Sequence, residues 1–274
     1  MHIYGGGEGM AITITISIQK GGNYKTTTTA VMAHFLATKK DKRVLVVDMD
    51  SQGNVTNLLT GKEQEEYEGQ SIYNALITGN ADPYIITGIQ GIDVLPGDDF
   101  LADFTRYLYE EYKPNTGNPV SLPLYQLLEP LQDRYDYILI DTPPSLGEYT
   151  TNAIVASDYV IILAECAKWA HNAIKRFQRT VNIAKELNPF IQTVGILRTV
   201  HDSSGESNNW AKEIKNEYPE LTFNTIIKRR AATARLASNG FENNKELTKA
   251  TEFHKRALWE ILNRIGEFEN DKRG

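Results

Sequence analysis

Short apolar runs that alternate with helical patterns constrain the fold of this chain more than any other feature. The runs are rich in β-branched residues, and polar or helix-like segments separate them. They lie at residues 11–18 (AITITISI), 44–48 (VLVVD), 92–95, 137–141 (YILID), 159–163 (YVIIL) and 193–197 (TVGIL). Strands and helices in this alternation predict a doubly wound α/β fold, in which a mostly parallel sheet carries helices on both faces.

The segments between the runs complete this architecture. Helical spacing of apolar residues occurs at 30–40, 71–78, 100–109, 149–157, 169–187 and 253–265. The segment 113–119 (KPNTGNP) is predicted to be a polar surface loop. A chain of 274 residues is long enough for one large α/β domain, so we predict a single domain over residues 11–274 after a flexible arm at 1–10.

Composition limits the classes of function that the chain can have. The net charge is −6, so any contact with nucleic acid requires a local basic patch. The single cysteine, Cys166, excludes an intrachain disulfide and a Cys-rich metal site, and we expect it to be a buried apolar residue in a cytoplasmic protein. No run of about 20 apolar residues is present, so stable membrane insertion is not expected.

A glycine-containing loop joins the first predicted strand to the first predicted helix. Gly21 and Gly22 precede Lys25 and Thr26 at the place where backbone N–H groups and a helix dipole attract an anion. A lysine here would contact the phosphates of a nucleotide, and a threonine hydroxyl would bind Mg²⁺. The general motif G-x-x-x-x-G-K-[ST] is not met, because glutamine and tyrosine occupy its glycine positions. A tight Gly-Gly connection without a ligand therefore stays open.

Acidic residues follow two other predicted strands. Asp48 and Asp50 end the second run, and Asp141 ends the run at 137–141. The carboxyl ends of parallel strands form the ligand crevice in open α/β sheets. The sequence therefore predicts that these carboxylates lie close to the phosphate loop.

Three segments together resemble a known family. QKGGNYKTTTTA, VLVVDMDSQGN and YILIDTPPSLG are similar in order and spacing to the nucleotide motifs of ParA-type partition ATPases, a branch of the deviant Walker A group that includes MinD. The resemblance covers roughly residues 11–165 and is looser beyond them.

The resemblance implies an ATP and Mg²⁺ site in a P-loop ATPase. Lys20 would reach across a homodimer interface to the ATP of the partner, and Lys25 would contact the phosphates. Asp50 would orient the attacking water, and Asp141 would hold the magnesium shell. The implied nucleotide-binding residues are Gly21, Gly22, Asn23, Tyr24, Lys25, Thr26 and Thr27, the implied metal residues are Thr26, Asp50 and Asp141, and Asp48 could assist at the metal.

Two positions depart from the family pattern. Tyr24 replaces the glycine that normally precedes the P-loop lysine, and Ser51 replaces a common proline. A side chain at position 24 can reshape the loop, so we expect slow hydrolysis or an altered grip on the nucleotide.

The resemblance also implies partners. ATP would pair two copies of the chain, the dimer would bind double-stranded DNA non-specifically on the nucleoid, and a ParB-like, centromere-binding adaptor would stimulate hydrolysis. The candidate DNA-binding residues are Lys228, Arg229, Arg230 and Arg235, and Lys175, Arg176 and Arg179 could extend the same strip. A solvated charged face without a ligand is the simpler interpretation of such residues.

Alternative functions remain open on the sequence. A MinD-like ATPase would use the amphipathic segment 253–265 at a membrane, although its mixed charges favour docking on the core. A nucleotide-dependent scaffold with weak hydrolysis is a further alternative. A relative of nitrogenase iron protein is disfavoured, because one cysteine per subunit cannot supply four thiolates to a bridging cluster, and a metabolic kinase would need an acceptor pocket for which no motif is seen.

Overall fold

Eight strands form one sheet in the computed structural model of the protein, which describes residues 9–17, 24–200, 205–242 and 244–273. In chain order they are β1 (Ile12–Ser17), β2 (Val44–Asp48), β3 (Ile86–Thr87), β4 (Asp93–Leu95), β5 (Tyr137–Asp141), β6 (Tyr159–Glu165), β7 (Gln192–Val200) and β8 (Thr222–Lys228). The order across the sheet is β3-β4-β2-β5-β1-β6-β7-β8. Only the β3–β4 pair among these described strands is antiparallel, which confirms the predicted doubly wound α/β fold.

Helices cover both faces of the sheet. They are α1 (Tyr24–Lys40), α2 (Asn54–Thr60), α3 (Ile72–Thr78), α4 (Phe104–Tyr107), α5 (Lys113–Thr116), α6 (Pro123–Leu128), α7 (Glu148–Val155), α8 (Ala170–Ala184), α9 (Gly205–Glu217), α10 (Ala231–Ala234), α11 (Leu236–Asn239) and α12 (Leu247–Arg273). Among these described helices, none combines the length and the apolar character needed to cross a membrane.

Alternate side chains of each strand point to opposite faces and build separate parts of the core. Ile14 and Ile16 of β1 pack in a cluster with α1 and α12. Ile138 and Ile140 of β5 belong to a cluster on the other face, which includes residues of α3 and α6. A third cluster contains Val160 of β6 together with residues of α8 and α9.

The C-terminal helix docks on the core, as predicted. Ala257, Leu258, Ile261 and Ile265 of α12 are buried against the cluster that contains α1. Its apolar face is therefore covered by the protein itself.

The prediction of a loop at 113–119 was wrong for its first four residues. The chain forms a π-helical turn over Leu108–Tyr112 and continues into α5, which ends before Gly117 in the left-handed conformation at φ 71°. Pro114 is the second residue of α5 and lies directly after the π-helical turn, where backbone pairing follows an i→i+5 pattern. The helix predicted at 100–109 is also shorter, because Asp99–Asp103 forms a 3₁₀ turn ahead of α4.

Candidate nucleotide-binding site

The carboxyl ends of β1, β2 and β5 bring the predicted acidic residues together. β5 lies between β1 and β2, and the strand register pairs Asp141 with both Ile16 and Asp48. Helix α1 follows β1 after only six residues, so its first turn lies at the same edge. Four of the predicted site residues, Lys20, Gly21, Gly22 and Asn23, lie outside the described part of the chain.

Hydrogen bonds join the first turns of α1 to the end of β5. Thr26 Oγ1 donates to Asp141 Oδ2 at 2.8 Å, and Thr29 Oγ1 lies 3.4 Å from Asp141 Oδ1. The predicted residue Thr27 is also buried in this turn. Both carboxylate oxygens of Asp141 therefore face hydroxyl groups of the Thr-rich helix start.

Charges at this edge influence the pKa of Asp141. Burial raises the pKa of this carboxyl group, and the Lys25 ammonium group opposes the rise. The nearby Asp50 carboxylate adds to it. Lys25 itself is only 4% exposed and Asp50 only 9%, so the charged groups share a largely dry site.

Asp48 is fully buried, and both of its carboxylate oxygens accept hydrogen bonds. Its Oδ2 accepts hydrogen bonds from the Thr56 backbone N–H at 3.1 Å and from the Thr56 hydroxyl at 2.7 Å. Its Oδ1 accepts from the Asp50 backbone N–H at 3.2 Å. Burial and the nearby Asp141 carboxylate raise the pKa of Asp48. These contacts fix the turn that carries Asp50, and the assistance of Asp48 at the metal stays a prediction.

The residues that follow β4 contact the turn that carries Asp50. The Gly97 backbone N–H donates to the Thr56 hydroxyl at 3.1 Å. A Cβ atom at position 97 would lie 2.6 Å from the Asp50 carbonyl oxygen and 3.1 Å from Asp48 Cγ, distances that require glycine. Thr56 and Gly97 were not identified as site residues from the sequence. In the sequence, the dipeptide Pro96-Gly97 indicates only a turn after β4.

Asp50 belongs to the same turn, which follows β2. Its Oδ1 accepts a hydrogen bond from the Gln52 backbone N–H at 3.2 Å, which orients the carboxylate. Asp50 follows the end of β2 by two residues, and β2 is paired with β5, the strand that ends in Asp141. The predicted pair of acids from neighbouring strands is thus assembled at one edge.

The donor set fits magnesium bound together with a nucleotide. Carboxylate and hydroxyl oxygens are ligands that Mg²⁺ prefers, and it usually keeps only one or two carboxylate contacts alongside substrate phosphates. Within the described ranges, no three His, Cys, Asp or Glu side chains are arranged to hold a metal by themselves. Thr26, Asp50 and Asp141 are therefore suited to complete a shell that phosphate oxygens supply in part.

Tyr24 is the first residue of α1, and its ring is buried rather than exposed. Burial raises the pKa of its hydroxyl, the Arg229 guanidinium lowers it, and the Glu165 carboxylate raises it. Tyr24 belongs to the buried cluster that also contains Leu163 of β6 and Ile227 of β8. The tyrosine that departs from the family pattern thus packs among elements beyond the loop.

The candidate DNA-binding residues after β8 have different surroundings. Lys228 and Arg229 are exposed. Arg230 pairs with Glu252 at 2.7 Å and stacks over Phe253. The Nη2 and Nε atoms of Arg235 donate to the Glu246 carboxylate, at 2.8 and 3.0 Å. Two of the four bases are therefore engaged by carboxylates of the same chain.

Known proteins are similar to this chain in sequence and in fold. A family profile described as an AAA domain matches residues 11–193. The chromosome partitioning protein ParA of Myxococcus xanthus is 35% identical over 245 residues, which cover 86% of this chain and 83% of the Myxococcus protein.

Solved structures agree with this relationship. A putative plasmid partition protein of Borrelia burgdorferi B31 bound to AMPPNP superposes with a TM-score of 0.72 at 26% identity, over 94% of this chain and 99% of that one. A protein of Mycobacterium smegmatis described as cobyrinic acid a,c-diamide synthase, with bound ADP and magnesium, gives a TM-score of 0.68 at 29% identity, over 77% of this chain and 84% of that one.

The parallel sheet, with threonines and aspartates at its carboxyl edge, has the architecture of a P-loop nucleoside triphosphatase. The chain belongs to the ParA family of partition ATPases.

Proposed function

We propose that this protein is a Mg-ATP-dependent DNA-segregation ATPase whose ATP-bound form is a homodimer. The dimer binds double-stranded DNA non-specifically, and a ParB-like, centromere-binding adaptor stimulates its slow hydrolysis. Residues 11–274 act as one P-loop domain in the cytoplasm, associated with the nucleoid through DNA. The name of the Myxococcus relative and the nucleotides bound to the two solved neighbours support this proposal.

The observation that carries the proposal is the hydrogen bond between Thr26 and Asp141. It joins the start of α1 to the tip of β5 at the only edge where Lys25, Asp50 and a helix N-terminus also meet within the described residues. A hydroxyl and a carboxylate held together in this way are suited to share one magnesium shell.

Each residue then has a distinct role in hydrolysis. Lys25, together with Lys20 from the partner subunit, stabilises the charge that develops on the γ-phosphate. Asp50 orients the attacking water, and its position depends on Asp48. Thr26 and Asp141 hold the magnesium shell, and the metal supplies further positive charge to the phosphate oxygens.

The remaining loop residues bind phosphate through the backbone. Gly21, Gly22, Asn23, Tyr24 and Thr27 surround the start of α1 in the sequence, and their N–H groups are suited to cradle phosphate oxygens. The buried ring of Tyr24 limits the movement of this turn, which supports a slow basal rate.

The position of α12 favours partition over a membrane-cycling role. A MinD-like function requires an apolar helix face that is available to lipid. Here the corresponding residues, Ala257, Leu258 and Ile261, are buried against the core. The scaffold alternative differs only in the rate of hydrolysis, which phosphate release measures.

Binding to a DNA duplex of random sequence, measured with ATP, with ADP and without nucleotide, tests the proposed function. We expect binding with ATP alone, and we expect affinity to fall steeply as salt rises, because phosphate contacts release counterions. Equal binding in all three states, or none in any, would contradict the nucleotide switch. Flotation with anionic liposomes in ATP is the companion assay, and recovery with lipid would favour the membrane-cycling rival.

A further inference from the structure

We propose that helix α8, together with Lys168 two residues before it, forms a DNA-contacting surface of this protein. This inference rests on the proposed function, because it specifies where the ATP-bound form contacts the phosphates of double-stranded DNA. It adds a second surface to the exposed Lys228 and Arg229 after β8.

The sequence of this region has an unusual charge balance. Residues 166–185 contain five lysines and arginines and no aspartate or glutamate, in a chain that has 35 acidic and 29 basic residues overall. A solvated helix surface in an acidic protein normally carries both signs of charge. This segment is therefore a local positive surface on a negative protein.

Packing decides which side of α8 faces the solvent. Ile174, Phe177 and Val181 are buried in the cluster that joins α8 to β6 and α9. The basic side chains lie on the exposed side. They are Lys168, Lys175, Arg176 and Arg179. Lys175 and Arg179 are four residues apart, so they are neighbours on one stripe of the helix.

Carboxylates near α8 leave this stripe available. Across the described ranges, no carboxylate lies within 4.0 Å of the charged nitrogens of Lys175 or Arg179. The Glu217 carboxylate from α9 binds His171 instead. The first turn of α8 contains no acidic residue, so the positive end of the helix dipole adds to the same potential.

Two bases of the segment after β8 are less available to phosphate than those of α8. The Nε and Nη2 atoms of Arg235 donate to Glu246, and Nη1 of Arg230 donates to Glu252. A phosphate group competes with these carboxylates for part of each guanidinium, whereas the charged groups of Lys175 and Arg179 have no such competitor among the described residues.

The connection of α8 to β6 explains how ATP binding could control DNA binding. α8 follows β6, and β6 is the neighbour of β1, the strand that leads to the nucleotide site. Both α1 and α8 therefore begin at the carboxyl edge. A dimer formed through ATP at this edge holds two copies of α8 in one assembly, and two weak phosphate-binding surfaces that act together bind much more tightly than one.

Charge reversal on the exposed stripe tests the inference. We compare Lys175→Glu/Arg179→Glu with a control of equal charge change, Lys42→Glu/Lys113→Glu, at exposed positions elsewhere. A neutral pair, Lys175→Gln/Arg179→Gln, and the single variant Arg235→Gln complete the set. Thermal unfolding and ATP-dependent dimerisation are measured for each variant, and DNA affinity is measured with ATP across a salt series.

The reversal variant should dimerise like the wild type and lose at least about tenfold in DNA affinity, with the slope of log affinity against log salt reduced by about 0.9 for each lost phosphate contact. The neutral pair should show a smaller loss, and the control and Arg235→Gln should stay within about threefold of the wild type. The inference is overturned if the reversal variant binds like the control, or if Arg235→Gln loses more than it does. A wild-type protein that binds no DNA with ATP contradicts the proposed function instead.

Discussion

Asp48 illustrates how a buried carboxylate can hold the turn of a candidate site in place. Three hydrogen-bond donors, two of them from Thr56, occupy its oxygens, and the third is the backbone N–H of Asp50. A buried carboxylate with satisfied oxygens is a rigid anchor, whereas an unsatisfied one is costly. The position of Asp50 therefore depends on a hydroxyl group eight residues after Asp48.

Replacement of Thr56 tests this dependence. Thr56→Val removes the hydroxyl that donates to Asp48 and accepts from the Gly97 N–H, at nearly constant volume. We expect the free energy of unfolding to fall by about 1–3 kcal/mol, because buried polar groups lose their partners. We expect kcat to fall about tenfold with little change in KM, because a small displacement of Asp50 misaligns the water.

Thr56→Ser is the matched control, since it keeps the hydroxyl. Steady-state phosphate release at several ATP concentrations separates kcat from KM for both variants. Equal kcat values for the valine and serine variants would show that the hydroxyl does not position Asp50.

Single residues also show which parts of the site the sequence could predict. Thr26, Asp50 and Asp141 lie in motifs, so their convergence followed from the rule that strands of a parallel sheet end at one edge. Thr56 and Gly97 become neighbours of Asp48 only when β2 pairs with β4 and α2 packs above them. Nothing in a linear pattern marks a threonine inside a short helix as the partner of a distant carboxylate.

At the scale of elements, α12 contains a buried ionisable group. His254 is only 1% exposed, and neither ring nitrogen has a hydrogen-bond partner among the described residues. Burial lowers its pKa to about 4. The neutral ring therefore packs between α12 and the core, and a protonated ring is strongly disfavoured in the folded state.

This burial predicts a specific loss of stability in acid. The unfolded chain binds a proton at His254 below its ordinary pKa of 6.5, whereas the folded chain does so only near pH 4. Stability therefore falls as the pH drops from about 6.5 to about 4, by roughly 3 kcal/mol from this group. His254→Leu should remove that part of the pH dependence.

Unfolding midpoints of the wild type and His254→Leu at pH 7.5 and pH 5 measure the effect. The variant should equal or exceed the wild type at pH 7.5, and its advantage should grow at pH 5. Because other groups titrate identically in both proteins, the difference between them isolates His254. A constant difference at the two pH values would contradict the assignment.

The elements also show where sequence patterns fail. β2 and β5 were predicted at their observed bounds, because both are continuous apolar runs that end in aspartate. β3 has two residues, too few for any periodicity, and its pairing with β4 depends on tertiary packing. The π turn at Leu108–Tyr112 carries a helix into a segment whose composition is typical of a loop.

At the scale of the whole molecule, acidic and basic side chains are concentrated on different surfaces. Aspartates and one lysine meet at the carboxyl edge of the sheet, and α8 presents bases to the solvent beside it. The net charge of −6 does not reveal this separation of acidic and basic surfaces. Under the proposed function, attraction to DNA would have to come from a local basic surface, and pairing of two subunits at the nucleotide edge would strengthen it.

Titration calorimetry of Mg-AMPPNP into the wild type and Lys25→Ala tests the central claim, that the carboxyl edge binds a magnesium–nucleoside triphosphate. Circular dichroism confirms beforehand that the variant is folded, because Lys25 is buried beside Asp141. The account predicts saturable binding to the wild type and an affinity at least about tenfold weaker for the variant, because the phosphates lose a charged contact. Equal affinity in the two proteins, or no binding to the wild type, would contradict it.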